Sequence, residues 1–284
     1  MNHRIIARLD IKGPNLVKGI HLEGLRVLGK PEDFAKYYYE TGADELLYMD
    51  VVASLYDRNS LQDIISRTAE NIFIPLTVGG GLRTVDDIRS VLRAGADKVS
   101  LNTAAIKNPS IIKEASALFG SSTIAVSIEA IRQLDGSYLA YTDNGREYTG
   151  IEVGSWAKKV QGLGAGEIVL TSIDREGTGG GFDLELIKAI ADSVSIPVVA
   201  SGGAGSKEDV EDVISKGHAD AVALASILHY NYLKDHSIIG EYKEEGNTAF
   251  LKSGRSFEMV KPADLPDIKE YLVQKKIPCR HSLK

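Results

Sequence analysis

Cysteine is nearly missing from this sequence. Cys279 is the only one, so no disulfide can form within the chain, and a reducing, cytoplasmic setting is expected. No run of about 18 apolar residues occurs, so no membrane-spanning helix is expected. The opening MNHRIIARLDIKG lacks the apolar core of a secretion signal, because Asp10 interrupts it early. The six histidines are scattered and never share ligand spacing with the cysteine, so neither a metal nor another cofactor is expected. A basic excess is also lacking: 33 Lys and Arg face 39 Asp and Glu, a net charge of −6. That balance argues against nucleic-acid binding. Any phosphate on a ligand must then be held by local geometry, not by a basic surface.

What is present is a repeating alternation. Apolar runs at 4–10, 45–50, 74–78, 97–101, 123–129, 167–172, 196–201 and 220–225 read as strands. Helical patterns fall at 31–41, 58–71, 84–94, 108–118, 152–163, 183–192, 206–216 and 264–275, several of them opened by a cap or a proline such as Thr84, Pro109 or Ser206. Eight such units in 284 residues predict a single (β/α)8 barrel over the whole chain, close to the roughly 250 residues typical of that fold. Asp135-Gly136 predicts a tight hairpin turn above the fifth strand. The polar stretch 231–262 breaks the rhythm and reads as an inserted loop or hairpin.

An internal repeat underlies the alternation. Asp10 and Glu129 end the first and fifth strands, and Asp50 and Asp174 follow the second and sixth. Gly79-Gly80-Gly81 matches Ser201-Gly202-Gly203, and Asn102-Thr103 matches Ala225-Ser226. The near-constant offset predicts two fused half-barrels.

In such a barrel the reactive groups sit at the C-terminal ends of the strands. Asp10 and Glu129 are therefore the candidate acid/base pair, with burial and mutual repulsion separating their proton affinities. Asp174 and Asp50 occupy the same level. For all four, capping and loop hydrogen bonding are the alternative. The glycine turns at Gly80-Gly81 and Gly202-Gly203, with the backbone amides after Asn102 and Ala225, form two candidate phosphate cradles, suited to the two ends of a bis-phosphate. Simple turn glycines are the other reading. Lys18, in an expected flexible loop after the first strand, could close over an anion or simply be solvated. His229, Trp156, Tyr37, Tyr38 and Tyr39 read as packing residues.

RLDIKG…LVKG, GGGLR, KVSLNTAA, TSIDREGT, ASGGAGS and ALASILH together resemble the cyclase subunit of imidazole-glycerol-phosphate synthase, over about residues 4–230 and the last helix. The sister isomerase of histidine synthesis shares the half-barrel repeat, but LDIK…VKG with SIDREGT is the cyclase's pattern. The resemblance implies a lyase that takes ammonia from a glutaminase subunit on the N-terminal face. That ammonia acts on a bis-phosphate ribulosyl-formimino carboxamide nucleotide to give imidazole glycerol phosphate and an aminoimidazole carboxamide nucleotide. It implies acid/base roles for Asp10 and Glu129. Substrate or phosphate contacts are implied for Lys18, Gly80, Gly81, Asn102, Thr103, Asp174, Gly177, Gly202, Gly203, Ala225 and Ser226. Arg4, Glu45, Lys98 and Glu167 match a charged ammonia gate; a surface ring of ion pairs is the plainer alternative.

Three departures stand against the resemblance. Glu129 replaces the usual aspartate, moving the carboxylate by about 1 Å, a displacement that can cost about 100-fold in rate. Arg8 replaces a usual cysteine and shares the inward face with Arg4, Ile6 and Asp10, so it must find a partner among Asp10, Glu129 or Asp50. The 231–262 segment is atypical. These departures keep two other readings open: a paralogue delivering ammonia for amidation of a bacterial surface-glycan sugar, and a non-catalytic scaffold of a glutaminase complex.

Overall fold

The structure is a computed structural model that describes residues 2–53, 61–236 and 259–280. Eight parallel strands close into a barrel: β1 (Arg4–Lys12), β4 (Glu45–Asp50), β5 (Leu76–Gly79), β6 (Lys98–Leu101), β7 (Ile124–Arg132), β10 (Glu167–Ser172), β11 (Val198–Ser201) and β12 (Ala221–Leu224). Closure is made by β12 pairing with β1, where Arg4 lies opposite Ala221 and Ile6 opposite Ala223. The strands read as near-continuous apolar runs because both of their faces are covered.

Side chains alternate across this wall. Ile5, Ala7, Leu9 and Ile11 point outward into the main core beneath the helices. Ile6, Leu47, Ala125, Val169, Val199, Ala221 and Ala223 form a separate apolar cluster inside the barrel. The surrounding helices are α1 (Pro31–Glu40), α2 (Gln62–Ala69), α3 (Val85–Arg93), the short α4 (Thr103–Lys107), α5 (Ser110–Phe119), α6 (Val153–Gly162), α7 (Leu184–Ala191), α8 (Lys207–Ser215), α9 (Ser226–Asp235) and α10 (Leu265–Gln274). No helix among the described residues is long and apolar enough to cross a membrane.

The half-barrel repeat extends to details of the backbone. Asn102 and Ala225, which precede α4 and α9, have φ/ψ of −128°/−86° and −126°/−83°. Gly80 and Gly202 have φ of +98° and +88°. Thr84 and Ser206 both cap their helices in reciprocal boxes, with Asp87 and Asp209 returning the bond. Asp97 accepts a bond from the Leu76 amide at 2.9 Å, and Asp220 does the same for Val198 at 2.8 Å.

Two excursions rise above the mouth. After β7, Asp135-Gly136 turns the chain into β8 (Tyr138–Thr142), followed by β9 (Glu147–Glu152). After β1, the chain forms β2 (Asn15–Ile20) and β3 (Glu23–Gly29), an antiparallel hairpin continuing from β1. The expected flexible loop around Lys18 is thus a paired strand. Gly19 permits its tight return, since a Cβ there would lie 2.1 Å from the Glu23 carbonyl oxygen. The helix after β12 also runs on to Asp235, so the first residues of 231–262 are helical. Residues 237–258 lie outside the described residues. The chain returns with Val260 buried and the Lys261 amide bonded to the Gly205 carbonyl at 2.7 Å.

Candidate active site

The barrel interior is layered from bottom to mouth. At the N-terminal end, Arg4, Glu45, Lys98 and Glu167 begin β1, β4, β6 and β10 and point inward together. Arg4 donates to Glu45 at 2.7 Å and to Glu167, and Lys98 donates to Glu45 at 3.0 Å and to Glu167 at 3.4 Å. The result is one closed ring of alternating charge. The apolar cluster around Ile6, Leu47 and Val199 sits above it.

Arg8 comes next on the inward face of β1. Its Nε donates to Asp10 Oδ1 at 2.9 Å, and its Nη1 reaches across to Thr171 Oγ1 at 3.1 Å and Ser201 Oγ at 2.9 Å. Of the three partners expected for it, Asp10 is the one bonded. Arg8 is buried. Burial alone would weaken its hold on the proton, but Asp10 and Glu176 more than compensate and keep it charged.

Asp10 ends this ladder, 2% exposed. Its second oxygen accepts from Lys18 Nζ at 3.4 Å. Burial pushes the Asp10 carboxyl up, yet the facing Arg8 and Lys18 outweigh it and hold the group below the usual carboxylate range. Glu129, on β7, behaves oppositely. Its Oε2 accepts from the Gly145 amide at 2.8 Å, and burial pushes its carboxyl up to about 7, against the pull of Arg8 and that amide. The two acids therefore differ in proton affinity, Glu129 raised and Asp10 lowered.

The other two carboxylates at this level accept from backbone amides, and Asp50 also lines the larger cavity at the mouth. Asp50 caps the Val52 and Ala53 amides at 3.1 and 2.9 Å. Asp174 is exposed and accepts from the Arg132 amide at 2.8 Å. Strand alternation accounts for Asp50, because the inward positions of β4 are odd-numbered; Asp174 lies in the turn after β10. The residue missed by reading the carboxylates is Glu176. It is buried and bonded to Lys18, which is itself buried on β2 and not in a mobile loop. Its only signal in the sequence was its place in TSIDREGT. His229 is a packing residue: buried against Phe34 and Tyr38, bonded to the Tyr38 hydroxyl at 2.6 Å, and driven down to about 3 by burial and by Lys18.

Two cavities open at the mouth, one for each half-barrel. The larger, about 260 Å³, is lined by Glu129, Gly80, Gly81, Asn102, Thr103 and Lys107 among others. The smaller, about 10 Å³, is lined by Lys18, Glu176, Gly177, Gly202, Gly203, Ala225 and Ser226 among others. It has room for about one water. Arg8 lines both. Asp10 lines neither; its two cations stand between it and the open space. Side chains at the turn glycines would collide with backbone: a Cβ on Gly80 would meet the Asp50 carbonyl oxygen at 2.2 Å, and one on Gly203 the Gly181 oxygen at 2.2 Å. No group of three or more His, Cys, Asp or Glu that could hold a metal ion occurs among the described residues.

Residues 4–234 match the family described as "Histidine biosynthesis protein". The chain belongs to that family. Among its relatives, a protein of Legionella pneumophila is 61% identical over 208 residues, which is 73% of this chain and 98% of the relative. One of Methanococcus vannielii is 49% identical, covering 81% and 92%, and one of Alkaliphilus metalliredigens is 48% identical, covering 80% and 90%. All three carry the name imidazole glycerol phosphate synthase subunit HisF. The glycine turns after β5 and β11 and the inward acids of β1 and β7 fall on matching positions of the two halves of this chain.

Proposed function

We propose that this chain is the cyclase subunit of an imidazole-glycerol-phosphate synthase. In this reading it accepts ammonia from a glutaminase subunit docked at the N-terminal face. It uses that ammonia to split a bis-phosphate ribulosyl-formimino carboxamide nucleotide into imidazole glycerol phosphate and an aminoimidazole carboxamide nucleotide. One observation carries the proposal. Two inward acids with opposed proton affinities, Glu129 in the wall of the larger cavity and Asp10 behind Arg8 and Lys18, lie near two glycine turns related by the half-barrel repeat.

The chemistry needs a proton to move in each direction. Ammonia adds to the ketone carbon of the ribulosyl chain, and the carbonyl oxygen must gain protons to leave as water. Glu129, whose carboxyl burial pushes up to about 7, is the donor. Ring closure then joins the new nitrogen to the formimino carbon and breaks its bond to the aminoimidazole. A proton must be taken from the sugar carbon, and the ionised Asp10 is the acceptor. Its proton affinity rises when Lys18 turns from Asp10 and Glu176 to an incoming phosphate. That exchange also enlarges the smaller cradle, which the Lys18–Glu176 pair now fills.

Purified protein supplied with the bis-phosphate nucleotide and excess ammonium salt should form both products without any glutaminase. Asp10→Asn and Glu129→Gln should each lower turnover by about 100-fold or more. Absence of both turnover and nucleotide binding in the unaltered protein would reject the proposal.

A further inference from the structure

The ladder of residues on β1 places a cation between the apolar interior of the barrel and its mouth. Below Arg8 lies the dry cluster of Ile6, Leu47, Ala125, Val169, Val199 and Ala221. Above it lie both cavities, and Arg8 is the cation that lines each of them. Its guanidinium is tied to β1 through Asp10, to β10 through Thr171 and to β11 through Ser201. The interior of an eight-stranded barrel is only wide enough for side chains to fill it. A guanidinium stretched between three strands therefore obstructs that cross-section.

We propose that Arg8 is the upper closure of the barrel axis, a charged stopper separating the apolar interior from the substrate pocket. A small molecule moving along the axis reaches the pocket only when the guanidinium leaves Thr171 and Ser201. The permanent charge also sets which molecules pass. A neutral amine can slip beside the displaced guanidinium, whereas a cation is repelled. The charged ring at the opposite end makes the interior a compartment closed at both ends. The identity of the travelling molecule as ammonia rests on the function proposed above; the closure itself does not.

The test is therefore made on the lone protein, without substrate. Val199 lies two residues before Ser201 on β11, on the same inward face and one layer deeper. Val199→Cys puts a thiol of similar volume directly beneath the stopper. Its labelling by the small neutral reagent methyl methanethiosulfonate is followed by peptide mass, with buried Cys279 as the internal reference. With Arg8 present the thiol should stay protected. Adding Arg8→Met should speed its labelling by about tenfold or more. Thr171→Val with Ser201→Ala, which frees the guanidinium without removing it, should speed it too, and this pair keeps the test open should Arg8→Met fail to fold. Equal labelling in the Arg8 and substituted backgrounds would overturn the closure. In the glutaminase complex, Arg8→Met should also raise glutamine-driven relative to ammonium-driven turnover. If labelling responds while the complex with Arg8 intact forms no product from either nitrogen source, the closure stands and the cyclase reading fails.

Discussion

Glu129 and Asp10 share one interior and one level, yet their surroundings push their proton affinities apart. Burial dominates at Glu129, where Arg8, the Gly145 amide and the Asn102 side chain compensate only in part. Asp10 has a cation on each oxygen. The raised value has a consequence for stability. The Glu129 group titrates near 4.5 when unfolded and near 7 when folded. The folded state thus holds a proton that the unfolded state has released, and stability declines as pH rises between those values. Glu129→Gln should remove this decline and leave the variant more stable than the parent at about pH 8, by on the order of 3 kcal/mol. Denaturant unfolding of both proteins at about pH 5 and about pH 8 checks this, and parallel curves would refute it. The placement of these residues was legible in the sequence because strand parity assigns Arg4, Ile6, Arg8 and Asp10 to one face. The same parity turns Asp50 off the inward face of β4, where it still borders the larger cavity, and it does not govern Asp174, which follows the end of β10. Glu176 and the bonds of Arg8 to Thr171 and Ser201 were not legible, because they depend on how distant strands meet across the barrel.

At the scale of single elements, the strands and helices of the barrel fall within a few residues of their expected ranges. Apolar runs and capping residues are local signals, and here they agree with the tertiary fold. The β2–β3 hairpin was not legible. NLVKGI is short and carries a lysine, so it reads as a loop; it becomes a strand because the end of β1 offers unpaired backbone at Asp10, Ile11 and Lys12. That pairing sets Lys18 beside Asp10, and Glu176, from the turn after β10, is its second partner. The two capping boxes allow a direct test of the half-barrel repeat. Thr84→Ala and Ser206→Ala should each cost about 1 kcal/mol. Because the boxes lie in opposite halves, the double variant should lose the sum to within about 0.5 kcal/mol. Chemical denaturation measures both, and a markedly non-additive result would show that the two halves do not bear these caps independently.

Over the whole molecule, charge is arranged at the two ends of a dry axis. The ring of Arg4, Glu45, Lys98 and Glu167 closes the bottom, and Arg8 with the two acids stands at the mouth. If nitrogen enters through the ring, Arg4→Met should alter glutamine-driven turnover in the glutaminase complex while changing ammonium-driven turnover by less than about twofold. Equal effects on both would assign the ring a purely structural role. The central claim is that the two cradles hold opposite ends of one bis-phosphate molecule. The most direct measurement is an NMR titration of the isotopically labelled protein with the bis-phosphate nucleotide, following the amides of Gly81 and Thr103 in one half and of Gly203 and Ser226 in the other. Both sets should shift along one curve that saturates at a single equivalent. Response of one set alone, or two curves with separate midpoints, would contradict the claim.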